Sequence, residues 1–352
     1  MYFASDNSGP AAPEILDALI SANLGYAPAY GSDEIMDTVR ASIREIFEAP
    51  DAAVFLVATG TAANALALAT LVDPWQTIFC HRHSHAEEDE CGAPEFYSGG
   101  AKLTLVDGDH GKIDPAELDA AVLCTGQLGV HGVQRGALSI TNVTERGTVY
   151  TPDEIGALTA IAHRHGIRCH LDGARLANAL VSLGCSPAEA TWKSGIDLVS
   201  FGGTKNGLIG VEAVIMFDPG LAWEFELRRK RGGHLFSKHR FLSAQMAAYL
   251  HGGLWLDLAR RSNAAAKRLA SGLLRTRRAR LVHPAGANMI FAGWPRSGHQ
   301  RARKSGAQYY LWPPDQSLDG APDEVLTARL VCNWSTTEDD VDRFLERIQD
   351  PV

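Results

Sequence analysis

Hydrophobic residues in this chain fall into short continuous runs separated by segments with helical periodicity. Six of the apolar runs have the length expected of strands that are buried on both faces. They lie at residues 52–58, 102–106, 137–141, 167–171, 197–201 and 212–217. The pattern therefore predicts a sheet that is covered on both sides.

The segments between these runs predict amphipathic helices. Residues 33–49 place an apolar stripe on one helical face, and Ser32 is the predicted N-cap. The segment "TPDEIGALTAIAHRHG" begins with Thr151 and Glu154 as a capping box and is predicted to end at Gly166. Strands that alternate with helices are typical of an α/β protein with a mainly parallel sheet covered by helices.

The pattern changes after about residue 250. A long helical segment at 255–274 precedes two short apolar strands and a closing helix. We therefore predict a large domain over residues 1–250, which includes an N-terminal arm, and a smaller α+β domain over residues 251–352.

Composition excludes several classes of protein. The 352 residues are 45% hydrophobic and 21% charged, as in an ordinary soluble globular protein, and the net charge of −8 argues against nucleic-acid and anionic-membrane partners. The sequence has neither an apolar run of membrane-spanning length nor a recognisable secretion signal, so a cytoplasmic location is predicted. Six cysteines without a CxxC pair indicate reduced thiols rather than disulfides or a zinc site.

The ends of the predicted strands carry candidate chemical groups, and ligands of α/β sheets bind at the carboxyl ends of strands. In "VATGTAANAL" a strand is followed by Gly60, Thr61 and the start of a helix, which suits a phosphate group. The segment is neither a P-loop nor a GxGxxG motif, and a tight packing turn is the alternative interpretation.

Asp172 and Lys205 follow two further strands. Asp172, in "CHLDGARLAN", is either a helix N-cap or the counter-charge of a bound cation. Lys205, in "LVSFGGTKNGL", is either a solvated loop residue or an amine held at the edge of the core for covalent chemistry. An amine, a carboxylate and a phosphate site at one sheet edge are the groups that pyridoxal phosphate requires.

The chain resembles the low-specificity L-threonine aldolases and phenylserine aldolases of the fold-type I pyridoxal-phosphate enzymes. The matching segments cover most of residues 3–240 and include "FASDN", "AYGSDE", "GTAANALALA", "HSHAEEDECGAPEF", "TERGTVYTPDE", "LDGARLANA" and "FGGTKNG". The resemblance implies a lyase that cleaves L-threonine, L-allo-threonine or a related L-β-hydroxy-α-amino acid to glycine and an aldehyde. An aminotransferase or a β-eliminating lyase, which breaks the Cα–H bond first, is the competing prediction.

The resemblance also implies a role for individual residues. Lys205 would bind the cofactor covalently, Asp172 would pair with its ring nitrogen, and His85 would stack on its ring. The full set of implied cofactor contacts is Gly60, Thr61, His85, Asp172, Arg175, Thr204 and Lys205. The implied substrate contacts are Ser5, Tyr30, Glu145, Arg175, Lys230, Lys238 and Arg329.

Within the substrate set, Ser5 and Arg329 would hold the substrate carboxylate. Tyr30, Lys230 and Lys238 would come from a neighbouring subunit, which predicts a homodimer or homotetramer with shared active sites. The alternative interpretations are solvated charges for the two lysines and a structural salt bridge for Arg329.

Two further features complete the prediction. The run "HRHSH" would place His81, His83 and His85 on one face of a strand, which is the remote alternative of a metal-dependent hydrolase. Glu145 stands where many threonine aldolases have a histidine near the substrate hydroxyl. We therefore expect His85 or a water molecule to take the hydroxyl proton, and weak discrimination at Cβ.

Overall fold

The computed structural model describes residues 1–349, which form two sheets with helices packed against them. The larger sheet contains β1 (Ala53–Val57), β2 (Gln76–His81), β3 (Lys102–Val106), β4 (Gln134–Thr141), β5 (Arg168–Gly173), β6 (Leu198–Gly202) and β7 (Glu212–Met216). Its strand order is β1-β7-β6-β5-β4-β2-β3.

Strand direction in the larger sheet confirms the predicted fold class. Strand β7 is antiparallel to both of its neighbours, β1 and β6, while all the other pairs are parallel. Six strands therefore point the same way, and their carboxyl ends meet at one edge. Each predicted run corresponds to an observed strand, but β2 was not predicted because only Ile78, Phe79 and Cys80 form its apolar centre.

Thirteen α-helices lie within the described residues. They are α1 (Pro13–Ala22), α2 (Glu34–Ile46), α3 (Gly60–Leu71), α4 (His85–Glu88), α5 (Ala93–Ser98), α6 (Pro115–Cys124), α7 (Pro152–His163), α8 (Leu176–Leu183), α9 (Ala222–Arg231), α10 (Arg240–Leu250), α11 (Leu254–Arg275), α12 (Arg296–Lys304) and α13 (Glu338–Ile348).

The helix caps test the sequence predictions directly. The N-cap of α2 is Asp33, whose side chain accepts a hydrogen bond from Met36 N–H at 3.0 Å, so the prediction of Ser32 was wrong by one residue. The capping box of Thr151 and Glu154 at the start of α7 is confirmed. That helix ends at His163, three residues before Gly166.

The smaller sheet is antiparallel, as expected for the C-terminal part. Its strands are β8 (Arg280–Leu281), β9 (Met289–Pro295), β10 (Tyr310–Leu311) and β11 (Val325–Val331), in the order β10-β11-β9-β8. Phe3 packs with Phe344 in the core of this part, so the N-terminal residues join the C-terminal part.

Helix α11 contributes to both hydrophobic cores. Trp255 and Leu258, in its first turns, pack in the core of the larger sheet, whereas Leu269 and Leu273 pack in the core of the smaller one. Division of the chain near residue 250 remains our proposal for the domain boundary. No helix in residues 1–349 is both long and apolar enough to cross a membrane.

Candidate active site

The candidate site lies at the edge where the six parallel strands end. Asp172 lies near the end of β5, and the segments that follow β1, β2, β4 and β6 carry Gly60, His85, Glu145 and Lys205. A cavity of about 450 Å³ opens beside this edge and extends to the small sheet. Its walls include Ser5, His85, Glu145, Arg175, Lys205 and Arg329.

Lys205 lies on a short 3₁₀ helix directly after β6. The preceding Gly202 permits a close approach, because a Cβ atom there would lie 2.3 Å from Ala174 O. The Lys205 amine makes no hydrogen bond or ion pair with residues 1–349. Burial lowers the pKa of Lys205, and the charge of Arg175 lowers it further, so a larger share of the amine is neutral and nucleophilic.

Asp172 is buried at the end of β5 and accepts two hydrogen bonds. Its Oδ1 accepts from Ala174 N–H at 3.0 Å, and its Oδ2 accepts from Asn64 Nδ2 at 2.9 Å. Burial alone would raise the pKa of Asp172, but the positive charges of His85 and Lys205 outweigh it and the pKa lies below its usual value. This carboxylate therefore stays ionised, as the partner of a protonated ring nitrogen must.

His85 is the first residue of α4 and belongs to a hydrogen-bonded chain with Asp172. Its Nδ1 lies 2.8 Å from Oε1 of Glu90, and the same oxygen accepts from Asn64 Nδ2 at 2.8 Å. Burial opposes the charge of His85, yet Glu90 and Asp172 raise its pKa above the ordinary value. Glu145 fixes the start of α4, because its Oε1 accepts from the His85 backbone N–H at 2.6 Å.

Asn64 and Glu90 were not predicted as site residues. Both lie inside segments that carry the family resemblance, but only the structure shows that Glu90 is 3% exposed and linked through Asn64 to Asp172. A carboxylate in an acidic stretch reads as a surface charge, so burial was the missing signal.

Two arginines line the substrate side of the cavity. Arg175 is bound in a bidentate ion pair by Asp6, with Nε–Oδ2 at 2.6 Å and Nη2–Oδ1 at 2.8 Å, and Asp6 was also not predicted. Arg329, on β11, donates to Ala4 O at 3.4 Å and contacts Met289 Sδ at 3.2 Å. Within residues 1–349 it has no carboxylate partner, so the structure contradicts the alternative of a structural salt bridge.

The start of α3 can receive a phosphate group. Thr59 caps the helix by accepting from Ala62 N–H, while the N–H groups of Gly60 and Thr61 have no intrahelical acceptor. No atom lies within 4 Å of the position that a Cβ of Gly60 would occupy. Both the hydroxyl and the backbone N–H of Thr204, by contrast, bind the buried carboxylate of Glu212, which leaves neither group free for its predicted phosphate contact.

These features fit pyridoxal phosphate at each of its reactive positions. The site offers an amine without a partner in residues 1–349, a buried ionised carboxylate, an imidazole and a helix start with two N–H groups that have no intrahelical acceptor. Lys205, Asp172, His85 and Gly60 with Thr61 would hold the carbonyl carbon, ring nitrogen, ring face and phosphate respectively. The fold and the site define a pyridoxal-phosphate enzyme of fold type I.

Three predicted substrate residues lie outside this cavity. Tyr30 is 49% exposed, and Lys230 Nζ lies 5.0 Å from the centre of its ring. The backbone N–H of Tyr30 donates to Ser237 O, next to Lys238 in the chain. The three residues therefore form one surface, which we call the Tyr30 surface.

The histidine run does not form a metal site. Only His81 lies on β2, and its ring nitrogens contact Gly108 O and the His83 backbone N–H. His83 binds Glu88 at 2.6 Å, whereas His85 binds Glu90. Within residues 1–349, no group of three potential metal ligands contains two of these histidines, so the prediction of one shared strand face was wrong.

Comparisons with known proteins agree with the site. The family model of the beta-eliminating lyases matches residues 2–293. The low-specificity L-threonine aldolase of Pseudomonas aeruginosa is 39% identical over 99% of this chain and 96% of its own. The enzyme of the same name from Pseudomonas sp. is 39% identical over 96% of this chain and 93% of its own.

A solved structure gives the same result for the fold. The threonine aldolase of Leishmania major has a TM-score of 0.90 and 28% identity, covering 99% of this chain and 98% of that chain. This chain belongs to the beta-eliminating lyase family and, within it, to the low-specificity L-threonine aldolases. It is a pyridoxal-phosphate-dependent lyase.

Proposed function

We propose that this enzyme cleaves L-threonine, L-allo-threonine and related L-β-hydroxy-α-amino acids such as phenylserine to glycine and an aldehyde. The observation that carries the proposal is that Lys205 and Arg329 share one cavity wall and that no carboxylate among residues 1–349 is bound to either. The first can hold the cofactor and the second can hold an amino-acid carboxylate. Family membership directs the chemistry to the Cα–Cβ bond.

Bound pyridoxal phosphate supplies an electron sink for the bond that breaks at Cα. The residues of this chain orient the substrate for that event. Arg329 offers a guanidinium fork to the substrate carboxylate, and Ser5 lies in the same wall. Fixing the carboxylate sets which substituent of Cα faces the ring, so the clamp selects the bond that is cleaved.

The β-hydroxyl must lose its proton when the Cα–Cβ bond breaks. Glu145 lines the cavity, and burial raises its pKa to about 7, with the charge of Asp172 as a further cause. His85 lies beside it, with Nδ1 occupied by Glu90 and Nε2 available. Either group can accept the proton, directly or through a water molecule, and we propose this pair as the acid–base machinery.

We also propose that the active unit contains at least two chains, as a homodimer or homotetramer with shared sites. The Tyr30 surface supports this proposal because it combines Tyr30, Lys230 and Lys238 on one exposed face outside the cavity of their own chain. Six free cysteines are consistent with a reducing compartment, and we propose the cytoplasm.

The decisive experiment is product analysis with purified enzyme and pyridoxal phosphate. L-threonine should give equimolar glycine and acetaldehyde, without pyruvate or 2-oxobutanoate. Lys205→Ala should abolish turnover and the visible absorption of the bound cofactor while circular dichroism stays unchanged. 2-Oxobutanoate as the main product would indicate elimination instead, and full activity of Lys205→Ala would refute the assignment of this site.

A further inference from the structure

Arg146 is a cavity residue that the proposed reaction does not use. It follows Glu145 in the loop after β4, and its side chain lines the cavity. Its Cζ lies 5.6 Å from the ring centre of Trp312 and 5.8 Å from that of Phe291. Within residues 1–349, its guanidinium forms no ion pair and donates no hydrogen bond.

The two rings limit the positions that the guanidinium can take. A cation–π contact uses no N–H donor of the arginine head group, so these donors stay available for an acceptor. A guanidinium stays charged at any working pH, and holding it in a cavity wall without a counter-ion costs free energy. Arg146 is therefore oriented for an anion that the protein itself does not supply.

A second free guanidinium lies close by. Arg329 on β11 is the register partner of Phe291 on β9, the same residue that Arg146 stacks on. The third arginine of the cavity, Arg175, is neutralised by Asp6. The cavity thus offers two guanidinium groups without carboxylate partners, whereas the α-carboxylate of an amino acid needs only one.

The acidic side chains of the cavity do not neutralise Arg146. Glu145 accepts from the His85 backbone N–H, and Glu88 is paired with His83. Asp89 lines the cavity but has no ion pair with Arg146. An incoming anion would therefore meet an available guanidinium and would not have to displace a protein carboxylate.

We propose that Arg146 binds a carboxylate carried on Cβ of the substrate, so that the enzyme accepts dicarboxylic β-hydroxy-α-amino acids. The simplest member of this class is 3-hydroxyaspartate. This inference rests on the proposed aldol cleavage and specifies its substrate class. Arg329 binds the α-carboxylate and Arg146 binds the second carboxylate, on the far side of the bond that breaks.

The reaction balances without a further reactant. The Cα–Cβ bond of 3-hydroxyaspartate breaks, and its electron pair stays with the glycine fragment. The hydroxyl proton passes to an enzyme base as the C=O bond of glyoxylate forms, and a proton is added to Cα. The products are glycine and glyoxylate, so no oxidant, reductant or water molecule is consumed.

The test compares substrates and variants in the holoenzyme. We expect kcat/KM for L-3-hydroxyaspartate to exceed that for L-threonine by about tenfold or more, because a charge-assisted bidentate contact is gained. Arg146→Leu should lower the ratio of these two values about 100-fold, and Arg146→Lys should lower it less. Arg277→Leu, at an exposed arginine outside the cavity, is the matched control and should leave the ratio unchanged.

A binding measurement separates the subsite from the chemistry. L-aspartate carries both carboxylates but no β-hydroxyl, so it cannot undergo the cleavage. It should inhibit threonine cleavage more strongly than L-alanine, and Arg146→Leu should remove this advantage. The subsite would be refuted if the enzyme cleaved threonine but neither cleaved L-3-hydroxyaspartate faster nor bound L-aspartate more tightly than L-alanine. That result would leave the proposed function intact. Selective loss of phenylserine cleavage in Arg146→Leu would also overturn it, since Arg146 would then serve an aromatic group.

Discussion

Replacing Glu90 by glutamine tests whether the buried chain from Asp172 to His85 controls the chemistry. Glu90 Oε1 accepts from both His85 and Asn64 at 2.8 Å, while its Oε2 has no partner in the described part of the chain. Glutamine can keep both hydrogen bonds through its own oxygen, and it places an amide group where Oε2 stood. The change therefore removes a negative charge and little else.

The expected change in kcat/KM follows from the loss of the negative charge of Glu90. A hydrogen bond to a charged acceptor contributes about 1–1.5 kcal/mol more than one to a neutral acceptor. A difference of about 1.4 kcal/mol corresponds to a factor of ten, and the pKa of His85 should fall because the charge that favours its protonated form is lost. Glu90 now raises that pKa. The variant should lose about tenfold in kcat/KM, and the limb of its pH profile that reports His85 should move to lower pH.

The folded state of Glu90→Gln should not lose stability, although the variant loses activity. Burial raises the pKa of Glu90, so its ionisation disfavours the folded state as pH rises above the ordinary value of a glutamate. Above that pH, Glu90→Gln should therefore unfold at the same denaturant concentration as the wild type or at a higher one. A purely structural residue would lose activity and stability together.

The assay is kcat/KM for L-threonine as a function of pH, with urea unfolding of both proteins. Glu87→Gln, at an exposed glutamate on helix α4 three residues before Glu90, is the matched control and should change neither curve. A Glu90→Gln enzyme with an unmoved pH profile and kcat/KM within about twofold of the wild type would refute this reasoning.

Further predictions concern the binding of the substrate carboxylate by Arg329, the sharing of active sites between subunits and the stereochemistry at Cβ. Arg329→Lys should lower kcat/KM by about 2–4 kcal/mol in transition-state terms, because lysine lacks the bidentate fork; an unchanged value would transfer the clamp to Arg175. Mixed subunits of Lys205→Ala and Lys230→Ala should recover activity, and verified exchange without recovery would count against shared sites. Cleavage of L-threonine and L-allo-threonine should differ by less than about 30-fold, or 2 kcal/mol, with the D-enantiomers inert; kinetics on the four stereoisomers measure this.

The fold class, and the placement of candidate cofactor residues at the ends of strands, could be predicted from sequence because they depend on local patterns. Apolar runs, a capping box and glycines before Lys205 are visible without tertiary structure. Strand β2 was missed because its apolar centre is only three residues long, and the reversed direction of β7 has no local signal.

The supporting residues of the site could not be predicted for a different reason. Asp6 and Arg175 are 169 positions apart, and Asn64 and Asp172 are 108 apart, so their contacts exist only after folding. Each is a polar residue whose role depends on burial. The sequence shows the residue type but not whether the side chain is buried away from water. A buried carboxylate needs a hydrogen-bond or ion-pair partner, and a surface carboxylate does not.

Glu145 shows how burial away from water changes a conclusion drawn from the residue type alone. The sequence predicted that a glutamate at this position is only an acceptor at neutral pH unless burial raises its pKa, so deprotonation of the substrate hydroxyl would fall to His85 or water. Burial raises the pKa of Glu145 to about 7, so both its protonated and its ionised form are populated near neutral pH. A group with this pKa can take the hydroxyl proton and return it, which is the property required of a reversible aldol catalyst. Under our proposal, Glu145 would therefore carry a proton near neutral pH at the position where the resemblance implies a histidine.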